Sequence, residues 1–186
     1  MYRHVLVIGG TGMLRAASVA IASRSRILTS VARTRRSLAA LNSLLPPASA
    51  AHHMLALDWN KPDQFHHSLQ QHLAGTERPD LIVAWIHNYE VASRLAAGLV
   101  ATEPTARFFH VVGSATSDPS LIAATARGRL RQADVAYHQI VLGYVIADGS
   151  ARWLTNEEIS AGVLGAIARS EPEYLVGTLR PWSSRP

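Results

Sequence analysis

His4-Val-Leu-Val-Ile-Gly-Gly-Thr-Gly-Met-Leu-Arg15 decides the fold. Val5 to Ile8 is a short, β-branched apolar run, the pattern of a strand buried on both faces. Gly9-Gly10-Thr11-Gly12 stops it, and residues 13–22, rich in alanine and long apolar side chains, have helical character. Strand, glycine turn and helix form the layout of a dinucleotide-binding βα unit. Glycines allow a tight turn and close backbone approach to a pyrophosphate, and the helix N-terminus offers it free N–H groups. A glycine turn with a purely structural role is the alternative.

The chain bounds agree. At 186 residues it reads as one domain, 1–186, with ample length for a core. No apolar run approaches a membrane span, and the amino terminus lacks the layout of a signal peptide. The chain has no cysteine, which excludes disulfides, thiol nucleophiles and thiolate metal sites and fits a cytoplasmic protein. The net charge of +5 suits phosphate-bearing ligands or an arginine-rich surface; basic residues gather at 24–36 without a long tract, so no nucleic-acid partner is read.

Outward from the first unit, Ile27–Ala32 is a second strand, followed by Arg33-Thr34-Arg35-Arg36. An acid at the end of this strand takes a ribose 2′-hydroxyl, whereas an arginine suits a 2′-phosphate. No carboxylate occurs between Met1 and Ala51, so NADP is expected over NAD, with Arg33, Thr34 and Arg36 near the phosphate and Arg15 adding charge from the glycine turn. A solvated helix start is the other reading of Arg35 and Arg36.

Residues 37–45 read as a helix stopped by Pro46-Pro47, and His53–Leu57 as a third strand. Asp58 and Trp59 at its end border an adenine ring, or Asp58 is a turn residue. Asn60 is expected to cap the next helix, whose core stripe is Phe65, Leu69 and Leu73. His66, His67 and His72 have no pair three or four apart, so a solvated face is expected there and no metal.

Leu81–Ile86 is a fourth strand with His87-Asn88-Tyr89 at its carboxyl end, where ligands of open α/β sheets bind. Histidine is the side chain that trades protons near neutral pH, so His87 is a candidate for chemistry or for a hydrogen bond to ribose. Val91, Leu95 and Leu99 mark a fourth helix, and Phe108–Val112 a fifth strand. Ser114 opens a polar loop, either to bond a substrate carbonyl or as a turn, before a helix near 119–133. Tyr137–Ile146 is read as one sixth strand, in which Gly143 admits a ligand to the backbone. Thr155 and Glu158 form a capping box, and Tyr174–Gly177 closes the sheet. The pattern is α/β: a single doubly wound, Rossmann-like parallel sheet of about seven strands with helices on both faces.

Gly9-Gly10-Thr11-Gly12, Arg33, Asp58, Ser114 and Leu142-Gly143-Tyr144-Val145 together resemble the short-chain dehydrogenase/reductase superfamily over nearly the whole chain. Val83–His87 and Arg152–Ile159 are similar to stretches of short bacterial proteins of that superfamily. The resemblance implies nicotinamide-cofactor contacts from Gly9, Thr11, Gly12, Met13 and Leu14 at the pyrophosphate and from Arg33 at the 2′-phosphate. It also implies Asp58 and Trp59 near adenine, Trp85, Ile86 and His87 near ribose, and Gly143, Tyr144 and Val145 near nicotinamide. Many members dimerise through the fourth and fifth helices, so a homodimer is a further expectation.

The chain departs from the family in two places. Arg15 stands at the third glycine of the motif. The reductases' Tyr-x-x-x-Lys pair is missing: counting on from Ser114 reaches Arg127 and Arg131, and Lys61 is the only lysine. That pair supplies the proton of ketone reduction. The expectation is therefore an atypical NADP-dependent reductase of a small carbonyl, enone, quinone or flavin-like substrate, with His87, Ser114 or Tyr137 as the catalytic candidates. The alternatives are a non-catalytic NADP(H) sensor and a fold-mate using another nucleotide.

Overall fold

The run Val5–Ile8 is fully enclosed, and its alternate residues part to two layers. Val5 and Val7 join Leu28, Ile21, Val163 and Ile167 in one cluster; Leu6 and Ile8 join Val31, Phe65, Leu69 and Leu95 in the other. A strand with period-two side chains, apolar at every position, must be covered on both faces. The computed structural model describes residues 1–46, 51–98, 106–113, 136–147 and 149–186.

The strands β1 (Tyr2–Ile8), β2 (Ser25–Ala32), β3 (Ala51–Ala56), β4 (Leu81–Trp85), β5 (Arg107–Gly113), β6 (Ala136–Leu142) and β9 (Glu173–Val176) form a seven-stranded sheet. Its order is β3-β2-β1-β4-β5-β6-β9, and every pairing is parallel. The chain winds from β1 out to β3, then returns to lay β4 against the other side of β1. That reversal opens a crevice above the carboxyl ends of β1 and β4. The helices are α1 (Arg15–Ala22), α2 (Arg35–Asn42), α3 (Pro62–Ala74), α4 (Tyr89–Gly98) and α5 (Asn156–Arg169), with α1 and α5 on one face and α3 and α4 on the other. Among the described residues no helix is long and apolar enough to cross a membrane.

Local chemistry sets the helix ends. Thr34 caps α2, its hydroxyl accepting from the Ser37 N–H at 3.2 Å. Thr155 and Glu158 form the expected capping box on α5. Arg152 grips the same Glu158 with two bonds of 2.8 Å, which holds that carboxyl down at about 2. Asn60 does not cap α3. Lys61 occupies that position, and the Asn60 N–H is bound by Asp58 Oδ1 at 3.0 Å.

Two further readings are corrected. The sixth strand is not continuous to Ile146: it ends at Leu142, and Tyr144–Ala147 (β7) pairs antiparallel with Ser150–Trp153 (β8) as a separate hairpin. Gly143 makes the break. A Cβ there would lie 2.1 Å from the Thr178 carbonyl oxygen, so the close approach is made by the chain's own C-terminal segment. His66, expected on a solvated face, is buried at 3% exposure. The helix near 119–133, Leu99 and Ser114 lie outside the described residues.

The amino end of the sheet holds a polar joint. The His4 Nδ1–H donates to the Glu77 carbonyl, which leaves Nε2 to accept from the Thr29 hydroxyl at 2.8 Å. Thr29 Oγ1 also lies 3.3 Å from His72 Nε2, and the His53 ring stands edge-on to His72 at 5.1 Å. Burial pushes His4 and His72 below the usual histidine value. Among the described residues no group of three or more His, Asp or Glu side chains is arranged to hold a metal.

Candidate functional site

Gly9 turns the chain off β1 with φ at +79°, a region open chiefly to glycine. A Cβ there would stand 2.9 Å from that of Trp85, so the glycine turn rests directly on the end of β4. Close packing of α1 on β1 falls to Gly10, whose Cβ position is 2.4 Å from Ser18 Oγ, and the Ser18 hydroxyl donates to the Gly10 carbonyl at 3.0 Å. That explains why the third glycine of the motif is dispensable and Arg15 is tolerated. Gly12 faces open space, with nothing within 4 Å of its Cβ position. The first turn of α1 carries no capping side chain and no acid; the Arg15 N–H is bound by the Gly12 carbonyl at 3.0 Å, and the Ala16 and Ala17 N–H groups that follow have no side-chain cap.

Above this turn lies a cavity of about 620 Å³, at the switch point of the sheet. Its floor is Gly9, Thr11, Gly12, Met13 and Leu14. Arg33 and Thr34 wall one end, with Trp59 beside them; Trp85 and His87 wall the other. The Trp85 and His87 rings meet edge to face, centroids 4.8 Å apart. Arg33 is exposed, and no described residue forms an ion pair with it. Among the described residues no carboxylate lines the cavity. The space is thus cationic at the β2 end, aromatic on two sides and of a size that takes a cofactor.

Ten of the candidates from the sequence therefore gather on one cavity. The other described candidates stand elsewhere. Arg15 bonds the Thr11 carbonyl through Nε at 3.2 Å and lines a second cavity, of about 500 Å³, across the turn with Met13, Val19, Leu44 and Glu157. Arg36 is exposed on α2 and does not line the cavity. Asp58 binds the Asn60 N–H, as a turn residue does. The Ile86 side chain is buried in the core. Tyr144 is fully buried, its hydroxyl donating to the Pro181 carbonyl and its main chain pairing with Thr178, while Val145 follows on β7. The Tyr137 hydroxyl lies 3.0 Å from His110 Nδ1, away from the cavity wall.

Sequence reasoning missed Ala32, Ser37, Asn60 and Asn88, which also line the cavity. Asn88 had a readable signal. It stands between a strand end and an apolar helix stripe, and its Oδ1 caps α4 by accepting from the Glu90 N–H at 2.9 Å and the Val91 N–H at 3.3 Å.

No protein-family model matches the chain, and no curated protein matches it. Solved structures do. A short-chain dehydrogenase from Sphingobium yanoikuyae, in complex with NADPH, superposes with a TM-score of 0.72 over 97% of this chain and 91% of its own, at 16% identity. The chain has the short-chain dehydrogenase/reductase fold. An NADPH-dependent reductase involved in bacilysin biosynthesis matches at a TM-score of 0.70, covering 96% of this chain and 100% of its own, at 16% identity. The bulky-bulky ketone specific alcohol dehydrogenase of Comamonas testosteroni matches at 0.73, with 97% and 88% coverage and 13% identity. On this short-chain dehydrogenase/reductase fold the cavity occupies the crevice where the strand order reverses.

Proposed function

We propose that the chain binds NADP(H) in the cavity over the glycine turn and is an atypical short-chain dehydrogenase/reductase acting on a small carbonyl, enone, quinone or flavin-like substrate. The carrying observation is the cavity of about 620 Å³ lined by Gly9, Thr11 and Gly12, with Arg33 at its end and no carboxylate among the described residues of its wall. On this reading residues 1–186 form one cofactor-binding domain.

The residues present fit the cofactor. Open space at Gly12 leaves room for a pyrophosphate against the amino end of α1, whose first turn has no side-chain cap. Arg33 offers two parallel N–H donors to a 2′-phosphate. The cofactor supplies hydride chemistry when bound; the chain orients it, excludes water around it and delivers a proton. His87 is the candidate for that proton, because it lines the cavity and a histidine exchanges protons near neutral pH. Ser114 remains a candidate from sequence alone.

The second reading is a non-catalytic NADP(H)-sensing protein. Two observations favour it: Lys61 is the only lysine, and the Tyr137 hydroxyl is paired with His110. Turnover separates the two. The purified protein with saturating NADPH is assayed against ketone, enone, quinone and flavin panels, following absorbance of the reduced nicotinamide. Oxidation with any class, lost in His87→Ala, supports the reductase. Tight binding with no oxidation across all panels overturns it in favour of the sensor.

A further inference from the structure

His110 lies in the middle of β5, fully buried, and belongs to no part of the cavity wall. Its Nε2 is 2.8 Å from the Ile86 carbonyl oxygen and its Nδ1 is 3.0 Å from the Tyr137 hydroxyl. A carbonyl only accepts, so the ring hydrogen is on Nε2. Burial pushes the imidazole down to about 4, so the ring is neutral at pH 7, Nδ1 accepts, and the Tyr137 hydroxyl donates to it. Tyr89 at the start of α4 packs edge-on against the ring at 5.1 Å. The imidazole is thus held from β6 and α4 with its one donor aimed at the end of β4.

The target of that donor matters. Ladder pairing of β4 with β5 ends at Trp85 and Val111, one residue short of Ile86. Ile86 lies between Trp85 and His87, and both of these line the cavity, as does Asn88. The Ile86 side chain is held in the core, but past the end of the ladder its carbonyl takes its hydrogen bond from His110, and a shift of that peptide would carry both flanking rings with it.

We propose that His110 is a positioning residue: through the Ile86 carbonyl it fixes residues 85–88, and with them the aromatic wall of the cavity. Its consequence for NADP(H) rests on the function proposed above, whereas the anchoring itself does not.

Three measurements on the full chain test it. Imidazole ¹⁵N chemical shifts of the wild-type protein at pH 7 are expected to show a protonated Nε2 and a bare Nδ1; the other tautomer or a charged ring overturns the proposal. Amide hydrogen exchange is then compared among wild type, His110→Phe and His110→Gln, without cofactor. Residues 85–88 should exchange about tenfold faster in the Phe variant, with Val5–Ile8 unchanged, and return to within about twofold in the Gln variant, whose amide can still donate to the carbonyl. Equal exchange in all three overturns it. NADPH affinity should follow, falling about tenfold in the Phe variant and recovering in the Gln variant. If wild type binds no NADPH, the proposed function fails while the exchange data still decide the anchoring. If the Phe variant does not fold, the tautomer of the wild-type ring still decides it.

Discussion

Acid should weaken this protein well before its carboxylates titrate, and His110 should be the largest single cause. Burial lowers its value from 6.5 to about 4. An unfolded chain therefore binds a proton at this position between pH 6.5 and about 4 while the folded chain does not, so stability falls as pH falls through that window. Carrying pH from 7 to 4.5 removes about 2 kcal/mol through this one group. Glu158, held at about 2, adds its own loss only below its unfolded value of 4.5, so the window above that belongs to histidines. His4, His52, His66 and His72 are also pushed down by burial and steepen the loss with the same sign. The measurement is urea unfolding of wild type and His110→Gln at intervals between pH 7 and pH 4.5. The variant keeps the other histidines, so the difference between the two curves isolates His110. Wild type should lose about 2 kcal/mol more than the variant across that range. Parallel curves would refute the reasoning.

Two further substitutions probe packing. Thr29→Val removes the hydroxyl between His4 and His72 and leaves the buried His4 Nε2 without its donor; a cost of about 1–3 kcal/mol is expected, read by urea unfolding at pH 7. An unchanged midpoint would mean the joint contributes nothing. Gly143→Ala places a Cβ against the Thr178 carbonyl, main chain against main chain, and should cost about 1–3 kcal/mol and loosen the segment after Val176, visible as faster amide exchange at Thr178. Wild-type exchange there would show that the C-terminal segment is not what requires the glycine.

Most of the sheet was legible because burial on both faces writes itself as uninterrupted apolar runs. Val5–Ile8 and Leu81–Ile86 are such runs, and Phe108–Val112 is broken only by His110. The capping box at Thr155 and Glu158 was legible for a similar reason, since two residue types at fixed spacing satisfy orphan N–H groups. The β7–β8 hairpin was not. Tyr137–Ile146 reads as one strand, and nothing local announces that Gly143 is pinned by Thr178, more than thirty residues onward. His66 failed for a tertiary reason as well: α3 buries it beside Phe65, while the adjacent His67 is exposed.

In the site, positions fixed by strand ends were foreseen and positions fixed by packing were not. Arg33, Trp85 and His87 follow directly from where β2 and β4 stop. Ser37 reaches the cavity from the first turn of α2 and Asn60 from the turn before α3, which strand periodicity does not register. Tyr144 was read as a cofactor neighbour because its stretch resembles one in the superfamily, yet its hydroxyl is engaged by the Pro181 carbonyl.

The central claim is that the cavity selects a 2′-phosphorylated dinucleotide through Arg33. Its most direct test is calorimetric titration of the purified protein with NADPH and, separately, NADH, repeated on Arg33→Ala. The account predicts that wild type prefers NADPH, that the substitution weakens NADPH by about ten- to a hundredfold, the worth of one charge-assisted hydrogen-bonded contact, and that NADH affinity stays nearly the same. Equal affinity of wild type for the two nucleotides, or binding of neither, would contradict it.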